Sequence, residues 1–397
     1  MSATLCPPDT GPVAAVARTR PVLTVRLDAV AHNTRVLAGS ARRLMAVVKA
    51  DGFGLGAVSI GRTALAHGAT ALGVATLAEA VELRLAGLTA PLLSWLHAPG
   101  ADLSDAVRHG VDVAVPGVAH LEAAVSAARR HGRVVDVHLY LDCGTARDGC
   151  PPELWPDLCA AARRAELDGT VRVVGIMGHL ACAASLDPVG NAVATSRFVR
   201  GARLAHAAGL RPRLRHLGAT AAVLGLPGTH FDLSRVGAGL VGIDPTGRYP
   251  VLRGAAQVTA PVVQVRDVGA GVGVGYDHTY RTAAATRLAL LPLGYADGLP
   301  VTASGRAEVL VHGHRRPLVG RVSMDQVVVD VGALPVQPGD VVTVIGTGDE
   351  PGSDAPTLRE WASWADTLPH ELLTGLGRRL VRHVIPAPAL PHHLEHP

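Results

Sequence analysis

From Arg42 to about Asp244 the chain alternates short apolar, β-branched runs with Ala-, Leu- and Arg-rich stretches of helical spacing. The runs are Leu44–Val48, Ala71–Ala75, Leu92–Leu96, Val111–Val115, Val134–Leu141, Val171–Ile176, Leu214–Leu217 and Leu233–Val236. Between them apolar residues recur at helical intervals, as in Leu121, Ala124, Val125 and Ala128. Eight βα units are the number that closes a parallel barrel. An open doubly wound sheet is the rival arrangement, but eight units within about 200 residues favour closure. Hydrophobic residues make up 48% of the chain and aromatics only 3%, so its core must be built from Ala, Val and Leu, which suits βα layers.

Past Pro245 the pattern changes. Ala256–Val265, Thr286–Leu293, Glu308–Val311, Val327–Val331 and Val341–Ile345 read as strands joined by Gly/Pro turns, followed by a short helix from Thr357 to about Gly375. The 397 residues exceed one ordinary core. The division expected is a disordered extension over 1–20, an α/β barrel of the (β/α)8 type over 21–245, a mostly antiparallel β domain over 246–385 and a flexible tail over 386–397.

The formal charge of +4 does not point to nucleic acid, because the arginines are dispersed and no basic run exceeds two residues. No apolar stretch reaches the ~18 residues of a membrane span. The apolar patch Pro12–Ala17, flanked by Pro and Arg, is too short for a signal peptide. Five cysteines without CxxC spacing suggest neither a disulfide framework nor a zinc site, so a cytoplasmic protein without a metal is expected.

Among 37 basic residues Lys49 is the only lysine, and the other thirty-six are arginine. Arginine supplies charge equally well, but its guanidinium stays protonated and forms no imine. Only lysine offers an amine that burial can neutralise. Lys49 follows the run Leu44–Val48 and precedes Ala50-Asp51-Gly52-Phe53-Gly54-Leu55-Gly56, which places it at the C-terminal mouth of the first barrel strand, where barrel enzymes keep their chemistry. A lone lysine there suggests imine chemistry, with either a carbonyl substrate or pyridoxal 5′-phosphate (PLP).

The segment Ala46–Gly54 is similar to the PLP-lysine motif of the alanine racemase family, and the resemblance runs from about Thr24 to Arg382. Matching segments, in the family's order, are Asp142–Arg147, Gly178-His179-Leu180, Arg235-Val236-Gly237, Val274–Tyr280, Gly294–Gly298 and Val322–Gln326. The resemblance implies a PLP-binding barrel followed by a β domain, acting on a small amino acid as a homodimer whose sites are completed across the interface. Lys49 would hold the cofactor and serve as the base for the D-enantiomer, and Tyr276 of the other subunit would serve the L-enantiomer. Two opposed bases suit a racemase, because one side chain does not easily reach both faces of a planar carbon. A phenol, with an ordinary pKa of about 10, needs neighbouring cations such as Arg147 to act as a base.

Arg235 matches the arginine facing the pyridine nitrogen, where a permanent cation leaves that nitrogen unprotonated and weakens the electron sink. His179 matches the histidine packed on the cofactor ring, and His216 fits a hydrogen bond to Arg235. Thr220, Gly237, Ala238, Phe53 and His370 fall at phosphate positions, Arg147 would contact the cofactor's phenolate or the substrate carboxylate, and Tyr295 and the backbone of Met324 would line the entrance and the substrate side. By itself each histidine is an ordinary structural residue, since the chain has nineteen, and Met324 alone would be core.

Several positions depart from the family pattern. Phe53 and His370 stand where phosphate-binding tyrosines are usual, Ala219-Thr220 replaces Asn-Ser, Tyr140 replaces a lysine that steadies the arginine matched by Arg147, and Asp277 replaces a glycine. Two other readings stay open. One is a barrel PLP enzyme with other chemistry, such as a decarboxylase, whose cysteine, His-Gly-Ser and Glu-x-Gly-Arg patterns are absent here. The other is a catalytically reduced PLP-binding protein.

Overall fold

The computed structural model describes residues 16–349 and 352–389. Most of the expected N-terminal extension, and the tail beyond residue 389, lie outside the described residues. Within the extension, residues 16–20 are ordered, contrary to expectation: the Thr19 and Arg20 N–H groups donate to the Val16 carbonyl at 2.9 Å each.

The chain forms two compact units, one from Ala29–Leu252 and the other from the segment up to Asp28 together with Arg253–Ala387. The first chain strand, β1 (Val22–Arg26), belongs to the second unit.

In the first unit eight parallel strands follow one another: β2 (Leu44–Val47), β3 (Ala71–Val74), β4 (Leu92–Ser94), β5 (Asp112–Val115), β6 (Val135–Tyr140), β7 (Val171–Met177), β8 (Leu214–His216) and β9 (Ser234–Val236). Each of the eight apolar runs in the sequence supplies one of them. β9 returns to pair with β2, and the Asp232 and Arg235 N–H groups donate to the Arg215 and Gly218 carbonyls at 3.0 Å, which brings β9 alongside the end of β8 and nearly closes the barrel. The helices each bury one stripe against the strands. Val118–His131, for example, buries Leu121, Ala124, Ala127 and Ala128, and stops at Gly132, whose φ of 61° makes it a left-handed cap.

Alternate residues of the strands point into the barrel, where Met45, Val47, Ala71, Leu93, Ala114, Tyr140, Met177 and Leu233 pack together with Trp95 and Leu214. Three buried polar side chains share the strand parity of that interior: His138 with Tyr140 on β6, His216 with Leu214 on β8, and Arg235 with Leu233 on β9.

The second unit holds a nine-stranded sheet, with β10 (Ala256–Pro261), β11 (Gln264–Val268), β14 (Thr286–Leu291), β15 (Glu308–Val311), β16 (His314–Val319), β17 (Val327–Asp330), β18 (Val341–Ile345) and β19 (Val381–Ile385) in the order β11-β14-β17-β16-β15-β18-β10-β1-β19. All its pairs are antiparallel except β1 with β19. A separate ribbon joins β12 (Gly273–Val274) to β13 (Tyr280–Arg281). The sequence reading assigned 21–245 wholly to the barrel, whereas Val22 pairs with Thr259 and Val381. These partners lie more than two hundred residues away, and a five-residue run carries no signal of them. The single helix expected over Thr357–Gly375 is two, Leu358–Trp364 and Pro369–Gly375, because Pro369 has no N–H to continue a helix but fits a first turn.

Candidate active site

Lys49 leaves β2 on an unusual turn. Ala50, Asp51, Gly52 and Phe53 all have φ between 51° and 62°, a short left-handed stretch that L-residues resist. Specific bonds hold it. Glu79 Oε1 accepts from the Ala50 N–H at 2.7 Å, Asp51 Oδ1 accepts from the Ala57 N–H at 2.8 Å, and the Gly52 N–H donates to the Val48 carbonyl at 2.9 Å. Glu79 is itself fixed, since its Oε2 accepts from the Ala75 and Thr76 N–H groups at 2.9 Å each. The turn leaves Lys49 Nζ 5.9 Å from the centre of the Trp95 ring. Lys49 is exposed at the barrel mouth, yet desolvation by the surrounding protein and then the Arg147 charge lower its pKa, against an opposing contribution from Glu79.

Arg147 rides on a loop wound round Asp142. Asp142 Oδ1 accepts from the N–H groups of Gly144, Thr145 and Ala146 at 2.8, 2.9 and 3.3 Å, and from the Thr145 hydroxyl at 3.2 Å. Burial would raise the Asp142 pKa, but these donors outweigh it and lower it.

Arg235 is buried with no carboxylate bound to it among the described residues. Its Nη1 donates to His216 Nδ1 at 3.0 Å and to the His216 carbonyl at 2.8 Å, and its Nη2 to the carbonyls of Gly178 and Leu217 at 2.6 and 3.4 Å and to His179 Nδ1 at 3.3 Å. Burial brings its pKa down to about 10, so it remains a cation at neutral pH. All these bonds leave from Nη1 and Nη2, which keeps Nε–H as the donor for a ligand. His179 is pushed down to about 3 by burial and then by Arg235, Arg147 and Lys49, so it stays neutral.

Beside Arg235 the chain turns at Gly237 into the short 3-10 helix Ala238–Val241. A Cβ on Gly237 would lie 3.1 Å from the Val47 carbonyl oxygen and 3.3 Å from the Phe53 ring, and the Thr220 hydroxyl accepts from the Gly239 N–H at 3.1 Å. Phe53, Thr220, Gly237 and Ala238 therefore gather at one end of the barrel mouth, and Lys49, Arg147 and Arg235 surround the neutral His179 in the rest of it.

The other sequence-predicted residues lie in the second unit. Tyr276 stands between β12 and β13, after Gly275, and is 69% exposed. The loop crosses to Arg321, which pairs with Asp277 at 2.5 Å, and Arg321 leads into Val322–Gln326. There the Tyr295 and Ala296 N–H groups donate to the Ser323 and Met324 carbonyls at 3.0 Å, an approach possible because a Cβ on Gly294 would fall 2.1 Å from the Ser323 carbonyl oxygen. Three motifs thus form one continuous patch on which Tyr295 and Met324 are also exposed. His370 is half-buried on Pro369–Gly375.

Comparison with known proteins gives the same result by three routes. Residues 25–245 match the alanine racemase N-terminal domain and 255–384 its C-terminal domain. The chain is 45% identical over 358 residues to the alanine racemase of Salinispora tropica, covering 89% of this chain and 95% of that one. The chain belongs to the alanine racemase family. Solved alanine racemases superpose on it: that of Streptomyces lavendulae with a TM-score of 0.90, 39% identity and coverage of 95% and 99% of the two chains, and that of Bartonella henselae, with covalently bound pyridoxal phosphate, with 0.82, 27%, 92% and 100%.

Family membership makes sense of the departures. The glycine that the resemblance expects at position 277 suits the φ of 59° there, and Asp277 takes that conformation while bound to Arg321. Tyr140 is buried among Arg235, Arg147 and Asp148; burial raises its pKa, and it hydrogen-bonds Arg147. Sequence reasoning missed Trp95, Glu79 and His138. Trp95 lies in the recognised run Leu92–Leu96, directly after β4, and that place at a strand's C-terminal end was the available signal. Glu79 and His138 carry none, because their roles depend on partners 29 and 78 residues distant.

The barrel residues fit PLP on the structure's own terms. The mouth offers an amine of lowered pKa, a cradle at Gly237 that a side chain would fill, and a buried guanidinium with an unused donor, all in surroundings rich in positive charge.

Proposed function

We propose that this protein is a PLP-dependent alanine racemase that interconverts L- and D-alanine by two bases, Lys49 and Tyr276, and works as a homodimer. When bound, PLP acts as an electron sink that makes the α-proton of the amino acid labile. The protein's own groups do the rest. Lys49 holds the cofactor and exchanges a proton with the α-carbon on one face, and its lowered pKa makes the neutral amine available. Arg147 receives the substrate carboxylate, and the Tyr276 phenol of a second copy exchanges the proton on the opposite face. Arg235 directs Nε–H at the ring nitrogen. Thr220, Gly237 and Ala238 bind the phosphate beside Phe53, and His370 adds a contact there. Tyr295 and Met324 border the substrate.

The observation that carries this reading is the single lysine presented on a left-handed turn within reach of Arg147. The purified protein should show the absorption of lysine-bound PLP and convert L-alanine to the racemic mixture. Lys49→Ala should lose both. Racemisation at the wild-type rate by Lys49→Ala would overturn the assignment.

A further inference from the structure

Below Arg235 a polar column descends through the apolar interior of the barrel. His216 Nε2 meets His138 Nδ1 at 2.8 Å, and His138 Nε2 meets Asp112 Oδ2 at 3.3 Å. The proton positions along it are forced. Arg235 Nη1 has only hydrogens to offer, so His216 Nδ1 must accept at 3.0 Å. The one proton of a neutral His216 then sits on Nε2 and is donated to His138, whose own proton sits on Nε2 and is donated to the Asp112 carboxylate. Reversing either ring would set two donors against each other. Burial, followed by His138 and Arg235, lowers the His216 pKa and keeps that ring neutral.

The backbone is shaped to admit the column. The β6–β7 register slips by one residue after Val137, so that His138 lies opposite Gly175, and a Cβ on Gly175 would fall 2.1 Å from His138 Nδ1. The bulge and the glycine leave the space that the His138 imidazole fills inside the barrel. At the far end Asp112 is partly exposed and lies near Arg84 and Arg172 as well as His138. Polar groups inside an apolar core are costly unless every one is paired. No nitrogen or oxygen of these four side chains is among the buried unpaired atoms of the described residues.

We infer that His138 and Asp112 are positioning residues: His138, itself anchored on Asp112, accepts the Nε2–H that Arg235 forces on His216 and so holds that ring in place, so that Arg235 keeps one orientation and its Nε–H stays directed at a ligand's aromatic ring nitrogen. The cofactor half of this inference rests on the proposed function. The tautomer half does not.

The test is 15N NMR of histidine-labelled protein without cofactor, followed by titration with PLP and 15N NMR of ring-labelled PLP. In the wild type His216 and His138 should each show a single Nε2–H tautomer. His138→Phe should leave the His216 Nε2–H without its acceptor and shift the His216 ring signals, weaken PLP binding about tenfold and shift the ring-nitrogen resonance of bound PLP. His138→Gln, which accepts through Oε1 and donates through Nε2, should restore all three. If His138→Phe does not fold, Asp112→Ala, at the partly exposed end, should leave the His138 Nε2–H without its carboxylate and shift the His138 and His216 signals. A folded His138→Phe or Asp112→Ala whose His216 signals match the wild type overturns the inference, as does a folded His138→Gln that restores nothing. Failure of the wild type to bind PLP overturns the proposed cofactor instead, and the tautomer measurement still decides the column.

Discussion

Asp142 never touches substrate in this arrangement, yet it holds the loop that carries Arg147 through three backbone N–H groups and a hydroxyl. Asp142→Asn gives up charge-assisted bonds, which should cost roughly 1–2 kcal/mol of stability and raise KM for alanine more than it lowers kcat. The sign with pH follows from the lowered pKa of Asp142. Its contribution is complete above the unfolded value of about 3.9 and is lost as pH falls through the lower folded value. The difference in Tm between wild type and Asp142→Asn should therefore be constant near neutrality and close below about pH 4; a difference that grew on acidification would refute this role. Phe53 gives a second residue-scale expectation. Its ring edge borders Gly237, so a hydroxyl at that position adds a donor to the cup, and Phe53→Tyr should tighten PLP binding by about tenfold in an equilibrium titration. Unchanged affinity would mean that the side chain does not face the phosphate. Lys49 was legible in the sequence because it is one lysine against thirty-six arginines and, where composition alone could be accident, it also stands at the C-terminal end of a barrel strand. His138 was not, because a histidine in an apolar strand looks like any satisfied core histidine until its partners on β5 and β8 are known.

The left-handed stretch after β2 ties the lysine to the rest of the barrel through one carboxylate. Glu79 bonds Ala50 N–H with one oxygen and caps its own helix with the other, so the start of the helix Leu77–Leu85 and the lysine turn are coupled. Glu79→Ala should destabilise the fold by roughly 1–3 kcal/mol and speed the loss of PLP on dialysis. Thr76→Ala removes the other half of the same capping box for about 1 kcal/mol and should leave cofactor retention alone. Equal PLP loss from the two variants would show that general weakening of the helix, not the bond to Ala50, is responsible. Elements of this kind divide by the range of their causes. The eight barrel strands were legible because an apolar run flanked by helical spacing is local information. The break at Pro369 was equally local, but the surrounding apolar residues concealed it. β1 and β19 were missed because each becomes a strand through distant partners, and β16, His314–Val319, because its first half is polar although its partner β15 lies only a two-residue turn away.

Across the whole molecule, the residues proposed for catalysis are divided between two units of the chain. The barrel carries Lys49, Arg235 and the proposed phosphate cup, while Tyr276, Tyr295 and Met324 stand exposed on a continuous patch of the β-rich unit. Large exposed side chains on one patch mark a surface that another molecule covers. A two-fold dimer would use that patch twice, each copy lending Tyr276 to the other's barrel. The prediction is complementation. Lys49→Ala and Tyr276→Phe proteins, each inactive alone, are mixed under conditions that exchange subunits. In a heterodimer one barrel keeps Lys49 and receives Tyr276 from its partner, while the other has lost both. Random exchange makes about half of the dimers mixed, each with one working site, so activity should return to about a quarter of the wild-type value. If both bases of a site came from one chain, every site in the mixture would lack one of them, and no activity would return at any mixing ratio.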